Sequence, residues 1–266
     1  SPAATTDSIV YAGTFFNGVF KSSDRGARWT SLDIPLTPLR WMSTEGQIRS
    51  MAFLPDDDTS LLIGTMVGVY RTRDRGASWE SFNDNFATCR GEPPSVWSLA
   101  ASPDYGHDST VYLAGQGNMV VIPAMPPTWQ PTCVQQNHVF KYTTEGGTGR
   151  WQTMDWFPYR LMTLAPTPTY ATDHTLFIGA YNGLQRVVDA GYYFTSTVES
   201  LTDFSVAAIA VSPDYAHDHT VFAGTSNLDP VGITPSQAAP AIQKTRSRSL
   251  TDGKRPASPF GEAAAA

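Results

Sequence analysis

The sequence predicts an all-β chain, and within that class a β-propeller. About five four-stranded units follow one another, as either an incomplete set or a small set closed around a narrow channel with the C-terminal tail supplying the missing strands. Three observations predict this. Two segments repeat nearly residue for residue: Ser22-Ser23-Asp24-Arg25-Gly26-Ala27-Arg28-Trp29 and Thr72-Arg73-Asp74-Arg75-Gly76-Ala77-Ser78-Trp79. Strand-ending glycines at Gly13, Gly64, Gly115, Gly179 and Gly224 recur at intervals of 51, 51, 64 and 45 residues. Propeller blades run at about 40–50 residues each. Aromatic residues reach 12% while charged residues stop at 16%, a balance that suits strands.

Each unit reads as four strands, A to D. Strand A is the apolar or alternating run at 48–53, 96–101, 161–165 and 206–211. An A–B turn follows, plainest in Ser102-Pro103-Asp104-Tyr105-Gly106-His107-Asp108 and Ser212-Pro213-Asp214-Tyr215-Ala216-His217-Asp218, with looser copies over 55–64 and 166–179. Strand B ends in glycine. Strand C holds Gly18-Val19-Phe20 or Gly68-Val69-Tyr70, and the repeated segment closes the C–D turn. Its pattern is Ser/Thr-x-Asp-x-Gly-x-x-Trp, filled first by Ser22, Asp24, Gly26 and Trp29, then by Thr72, Asp74, Gly76 and Trp79. The Asp carboxylate suits backbone N–H groups inside the turn, Gly takes a conformation other residues resist, and Trp fills the space between neighbouring sheets. A weaker copy carries Asp189, Gly191 and Phe194; a degenerate one at 144–151 has lost the Asp. The longest glycine interval absorbs an insertion between Gly117 and His138.

Over residues 7 to 225 this pattern resembles the Asp-box (BNR) propeller families, which include bacterial sialidases, xyloglucanases, the sortilin ectodomain and photosystem II assembly factors of the thylakoid lumen. The resemblance implies a propeller whose box residues are structural and lie away from the usual binding face. It implies no particular activity. A sialidase would need an arginine triad, a Tyr–Glu nucleophile pair and an acidic Asp. Here the arginines sit mostly inside the boxes (Arg25, Arg28, Arg73, Arg75), and the family's Phe/Tyr-Arg-Ile-Pro motif is absent. No catalytic residue is therefore assigned. Glu45 and Glu92 are the glutamates expected in binding-face loops, the pair that glycoside hydrolysis would call upon.

The units give four A strands but five B strands, since the first begins at strand B and the last stops after it. Residues 1–6 read as a linker and 7–229 as the propeller. Residues 230–266 read as a disordered tail, rich in Pro, Ser and Ala and weakly basic through Lys244, Arg246, Arg248, Lys254 and Arg255.

The net charge of −6 argues against nucleic acid as a partner. No apolar run approaches the length of a transmembrane segment. Asp104, His107 and Asp108, with Asp214, His217, Asp218 and His219, offer metal donors, but their place in A–B turns assigns them to turn geometry, so neither metal nor cofactor is expected. There is no Gly-rich phosphate loop, no His-Glu-x-x-His and no nucleophile elbow.

In a blade of this topology the D–A and B–C loops share one face. That face would gather Phe15, Phe16, Phe86 and Arg40, and the expected binding set Trp41, Arg90, Trp129, Trp156, Phe157, Tyr159, Arg160 and Tyr181. Aromatics with arginine anchor protein contacts, and aromatic platforms also stack on sugars. The insertion segment Met119-Val120-Val121-Ile122-Pro123-Ala124-Met125-Pro126-Pro127 is apolar and proline-rich, as exposed contact segments are. The leading expectation is a non-catalytic scaffold or assembly factor binding a protein partner. Carbohydrate binding or hydrolysis comes second, and a structural module of a larger surface protein third.

The two cysteines complete the reading. Cys89 lies in the D–A connection into the third unit and Cys133 in the B–C insertion of that unit. Both loops leave one face of one blade, so a disulfide is expected, against the alternative of two unrelated thiols. With the small-residue start Ser1-Pro2-Ala3-Ala4-Thr5-Thr6, this points to an extracytoplasmic place: secreted, periplasmic or cell-surface. An arbitrary chain boundary would begin the same way.

Overall fold

The computed structural model of the chain describes residues 8–34, 47–55, 57–84, 86, 88, 92–121, 132–145, 148–191, 193–194, 198–201, 205–226 and 242–246. Five antiparallel sheets follow one another in chain order as β-propeller blades. Sheet I comprises β1 (Val10–Gly13), β2 (Val19–Ser22) and β3 (Thr30–Ser31). Sheet II comprises β4 (Ile48–Phe53), β5 (Leu61–Thr65), β6 (Gly68–Thr72) and β7 (Glu80–Ser81). Sheet III comprises β8 (Ser95–Ala101), β9 (Val111–Val121), β10 (Thr132–Glu145) and β11 (Thr148–Phe157). Sheet IV comprises β12 (Leu161–Pro166), β13 (Thr175–Ala180), β14 (Gly183–Val188) and β15 (Val198–Ser200). Sheet V comprises β16 (Ser205–Val211), β17 (Thr220–Ser226) and β18 (Ile242–Arg246).

The A strands are β4, β8, β12 and β16, each within a residue of its sequence reading. Sheet I lacks an A strand among the described residues. Sheet V differs from the reading of 230–266 as a disordered tail, and has the strand that the alternative, a tail supplying missing strands, called for. β18 pairs antiparallel with β17, Thr220 opposite Arg246 and Gly224 opposite Ile242. The edge of β17 offers unpaired N–H and C=O groups, and the five residues of β18 contain neither Pro nor Gly to prevent pairing.

Sheets stack through their A strands, β4 on β8, β8 on β12 and β12 on β16, and in sheet I β1 packs on β4. Two matching hydrogen bonds stitch this inner row. Ser50 Oγ accepts from the Leu99 N–H at 2.9 Å, and Ser98 Oγ accepts from the Leu164 N–H at 3.1 Å. The glycine spacing has its cause here. A Cβ on Gly13 would stand 2.6 Å from Ile48 Cγ2, and one on Gly64 would stand 2.4 Å from Val96 Cγ1. The glycine thus makes room for the first apolar residue of the next sheet's A strand.

Four apolar cores lie between the five sheets. Val19, Ile48, Leu61, Ile63 and Trp79 fill the space between I and II. Leu62, Val96, Leu113, Phe140 and Trp151 fill that between II and III. Leu161, Leu176, Ile178, Met154 and Phe194 fill that between III and IV, and Phe177, Val206, Tyr215 and Val221 that between IV and V. The box-position aromatics Trp79, Trp151 and Phe194 are all buried, whereas Trp29 is 43% exposed, so the expectation of a packed Trp29 is not met. Among the described residues no sheet precedes sheet I to cover it.

The A–B turns hold one-turn helices: α1 (Tyr105–Asp108), α2 (Tyr170–Asp173) and α3 (Tyr215–Asp218). The carboxylate that ties each turn down is the last residue of the helix. Asp108 Oδ1 accepts from Thr110 N–H and its Oδ2 from the Ser102 hydroxyl; Asp218 does the same with Thr220 and Ser212, while Asp173 Oδ1 accepts both the Thr175 N–H and the Thr167 hydroxyl. Asp104 and Asp214 instead face His107 and His217 at 2.7 and 2.6 Å. Among the described residues no group of three His, Cys, Asp or Glu is placed to hold a metal.

The insertion in the third unit is a hairpin arm rather than a loop up to residue 121. β9 and β10 remain paired as far as Val121 opposite Thr132, carrying Cys133 opposite Val120. The degenerate box at 144–151 is a tight hairpin, with Glu145 opposite Thr148.

Candidate functional site

The site begins with a repeated irregularity. In every A strand the pairing with strand B slips by one residue near its start, leaving Arg49, Trp97, Met162 and Ala207 without a cross-strand partner. Such a bulge re-aims the side chain it frees. In the second and third sheets the freed side chains are large and cationic or aromatic. Because these positions lie at the start of strand A, they sit at the end shared by the D–A and B–C connections.

Neighbouring connections complete the arrangement. Phe15 lies in the β1–β2 turn, which Thr14 closes by donating its N–H to Gly18 O at 2.9 Å. Arg160 immediately precedes β12, and its carbonyl accepts the Tyr181 N–H at 3.0 Å, fixing Tyr181 beside it. The side chains then form a ladder across four sheets. The Arg49 guanidinium carbon lies 4.5 Å from the Phe15 ring centre and 4.9 Å from that of Trp97. The Arg160 guanidinium carbon lies 3.7 Å from the Trp97 ring and 5.8 Å from that of Tyr181. Phe16 stands edge-on to Phe15 at 4.8 Å and is 64% exposed.

Cation–π contacts contribute roughly 0.5–1 kcal/mol each where exposed and about 2 where desolvated. Against them stands the repulsion of two guanidiniums beside one indole. Burial first, and then the Arg160 charge, holds Arg49 below the usual arginine value. Arg49 donates to Gln47 Oε1 at 2.7 Å. Among the described residues neither arginine faces a carboxylate. Arg49 Nε, Trp97 Nε1 and Arg160 Nε are buried without a hydrogen-bond partner, as is Asn182 Oδ1 next to Tyr181.

Of the expected binding residues, Arg160 and Tyr181 are brought together in the ladder. Trp156 and Tyr159 are exposed beside it in sequence, at the end of β11 and in the connection to β12. Phe157 corrects the expectation: it is 7% exposed and packs into the core between sheets III and IV, because strand alternation turns it inward where Trp156 turns outward. Phe86 is likewise internal, stacked on Trp151 at 5.0 Å. Trp41, Arg90, Trp129, Arg40, Glu45 and Cys89 lie outside the described residues; Glu92 is exposed. Sequence reasoning missed Arg49 and Trp97 because both sit inside strand patterns. Aligning the A strands would have flagged them at one position: Ile48-Arg49-Ser50, Val96-Trp97-Ser98, Leu161-Met162-Thr163.

The opposite end carries the repeated turns. Ser22 Oγ accepts the Gly26 N–H at 2.8 Å, while Asp24 Oδ1 accepts the Arg28 N–H and the Ser22 hydroxyl, each at 2.8 Å. Thr72, Gly76, Asp74 and Ser78 repeat this with the same distances. In the third turn Val187 replaces the hydroxyl residue, so Asp189 Oδ1 takes the Gly191 N–H itself at 2.6 Å. Its Oδ2 turns inward to Lys141 at 2.6 Å, Tyr170 at 3.0 Å and the Tyr112 hydroxyl. A groove at this end is lined by Asp57, Arg71, Arg73, Tyr105 and Tyr142. Its arginines already meet Glu80, at 2.7 and 3.1 Å.

No protein-family model matches the chain, and no curated protein matches it. Solved structures do. An ancestral GH74 enzyme superposes with a TM-score of 0.56 at 16% identity, over 84% of this chain and 26% of that one. A chain of the COPII outer coat vertex on membranes superposes at 0.59 and 11% identity, over 92% and 56%. A Cps50 (Swd1) β-propeller domain of Myceliophteria thermophila gives 0.49 at 11% identity, over 91% and 68%. The chain thus spans about a quarter of the GH74 enzyme. The likenesses to the GH74 enzyme and the COPII coat chain show the fold alone.

Proposed function

We propose that this chain is a non-catalytic β-propeller that binds a protein partner through its loop-rich face, as a scaffold or assembly factor. The Phe15–Arg49–Trp97–Arg160–Tyr181 ladder carries the reading. Arginine and large aromatics at the centre of a surface are the residues that dominate protein contacts. Stacked guanidiniums are already ordered, so less conformational freedom is lost on binding. Glycoside hydrolysis would need two carboxylates about 5–10 Å apart across a sugar, and no ladder side chain is acidic. The structural neighbours include an enzyme and a coat component and do not choose between these classes.

Three finer points belong to the same proposal. The repeated turns are Asp-boxes with structural roles for Asp24 and Asp74, supported by their hydrogen bonds to their own turns. Cys89 and Cys133 form a disulfide bracing the β9–β10 arm, supported by the position of Cys133 on that arm and by the lack of a free cysteine among the described residues. The protein works outside the cytoplasm, where such a bond persists. Mass spectrometry of a non-reduced digest tests the bridge; both thiols free in native protein would refute it.

A photo-crosslinking residue placed at Tyr181 tests the main reading against one at Tyr193. Both side chains are exposed, at 42% and 58%, but Tyr193 lies in the third box turn at the other end. The expected result is protein capture from 181 and none from 193 in the native host. Capture from 193 alone would overturn the assignment.

A further inference from the structure

We propose that Arg49 and Arg160, braced on the two sides of their shared contact with Trp97, form a carboxylate-recognition pair that takes the aspartate and glutamate side chains of an acidic segment in the protein partner. This rests on the reading of the loop-rich face as a protein-binding surface and names the chemistry it reads.

The first argument is charge. The chain carries a net −6, and three of its other arginines face carboxylates: Arg71 and Arg73 meet Glu80, and Arg75 meets Asp58. Arg49 and Arg160 have no carboxylate among the described residues. Two like charges held within 5 Å of one indole ring, at 4.9 and 3.7 Å, repel each other, and no described carboxylate offsets that repulsion. An arriving carboxylate relieves that repulsion. An apolar or cationic partner would not.

The second argument is donor inventory. The unsatisfied buried atoms of the pair and its brace are Arg49 Nε, Arg160 Nε and Trp97 Nε1, and all are donors. An ionised carboxylate is acceptor-only, with room for several N–H groups, and an arginine Nε with a terminal nitrogen makes a fork that matches it. Phosphate shares this chemistry. The shape favours a chain bearing carboxylates: the ladder is a row running from sheet I to sheet IV, flanked by the exposed Phe15, Phe16 and Tyr181, and offers an extended peptide both acid-binding and apolar positions.

The test uses the full chain and a fluorescein-labelled peptide of alternating glutamate and alanine, followed by anisotropy. Glutamine–alanine and lysine–alanine peptides serve as controls, and inorganic phosphate and tri-galacturonate as competitors. Wild type should bind the glutamate peptide, with affinity falling as salt rises, and neither control. Arg49→Gln and Arg160→Gln should each weaken binding roughly tenfold or more, as loss of one half of a close charge pair does. Arg160→Lys should recover only part, since lysine lacks the fork. Thermal midpoints of the variants should change little, the lost cation–π contacts being offset by the removal of one repelling charge. Should Arg49→Gln not fold, Arg160→Gln and Arg160→Lys still decide. A glutamate peptide bound no better than its glutamine control, or bound equally by both Gln variants, overturns the proposal. So does arginine-dependent binding of tri-galacturonate or phosphate without peptide binding. A captured peptide at position 181 that contains no acidic residue would sink this inference while leaving the protein-binding face intact; capture only at 193 would sink the face itself.

Discussion

Trp29 and Trp79 close turns that share their Ser/Thr and Asp hydrogen bonds, yet Trp29 is 43% exposed, its Nε1 donating to Gly26 O at 3.0 Å, and Trp79 is only 9% exposed, its Nε1 without a partner. The difference lies in the neighbour: Trp79 packs among Val19, Ile48 and Leu32, while no described sheet covers Trp29. Trp79→Ala should therefore cost about 3–5 kcal/mol in urea unfolding, the range for a buried aromatic, and Trp29→Ala under about 1 kcal/mol. Equal losses would deny the sheet-on-sheet role. Asp74 adds a pH signature. The Ser78 hydroxyl, the Ser78 N–H and the Thr72 hydroxyl hold its carboxyl down to about 2. A carboxyl depressed in the fold stabilises it fully above its unfolded value near 4 and loses that contribution as pH falls toward 2. The stability gap between wild type and Asp74→Asn should be flat above about pH 5 and shrink steadily toward pH 2; a gap that grows on acidification would reverse the assignment.

Between elements, the Asp189 cluster ties sheet III to sheet IV. Lys141 on β10 and Tyr112 on β9 meet Asp189 after β14, and Tyr170 of α2 joins them. Burial pushes the Asp189 carboxyl up, but the Lys141 ammonium, the Tyr112 hydroxyl and the Gly191 N–H outweigh it and leave it below the ordinary value. Burial, reinforced by the Asp189 carboxylate, raises both tyrosines; the hydrogen bond between the two hydroxyls adds to the rise of Tyr112 and opposes that of Tyr170, and both stay protonated as donors. Asp189→Ala strands a buried ammonium and should destabilise by about 3–5 kcal/mol, with Lys141→Met in the same chain recovering most of it. No recovery in the double variant, measured by chemical denaturation, would show that the ion pair is not the source. This is also where the sequence was half legible. Asp189 read as a third box aspartate, and the Val187 beside it was the sign that the box chemistry had changed. Strands β4, β8, β12 and β16 were legible because apolar alternation and the Gly13 and Gly64 spacing report direct contacts with the next sheet. β18 was not, because its pairing is set by the free edge of β17 rather than by its own pattern. Arg49 and Trp97 were hidden because a one-residue bulge decides which way a strand side chain points, and alternation alone assumes no bulge.

At the scale of the whole molecule, the blades divide the work between two ends. The A–B and C–D end spends its polar groups on its own turns: Asp24, Asp74, Asp108, Asp173 and Asp218 are satisfied there. Exposed rings and unsatisfied donors occur at both ends, Trp29, Tyr193, Arg75 Nε and Trp79 Nε1 among them, but the D–A and B–C end gathers them into one array, with Arg49, Trp97 and Arg160 between Phe16 and Tyr181. Recognition should therefore be confined to one end. Hydrogen–deuterium exchange on the chain, alone and bound to the partner captured at position 181, measures this directly. Added protection is expected at 14–18, 47–50, 95–98, 159–161 and 181–183, with none at 22–29 or 72–79. Protection at the repeated turns with an unchanged ladder would contradict the account.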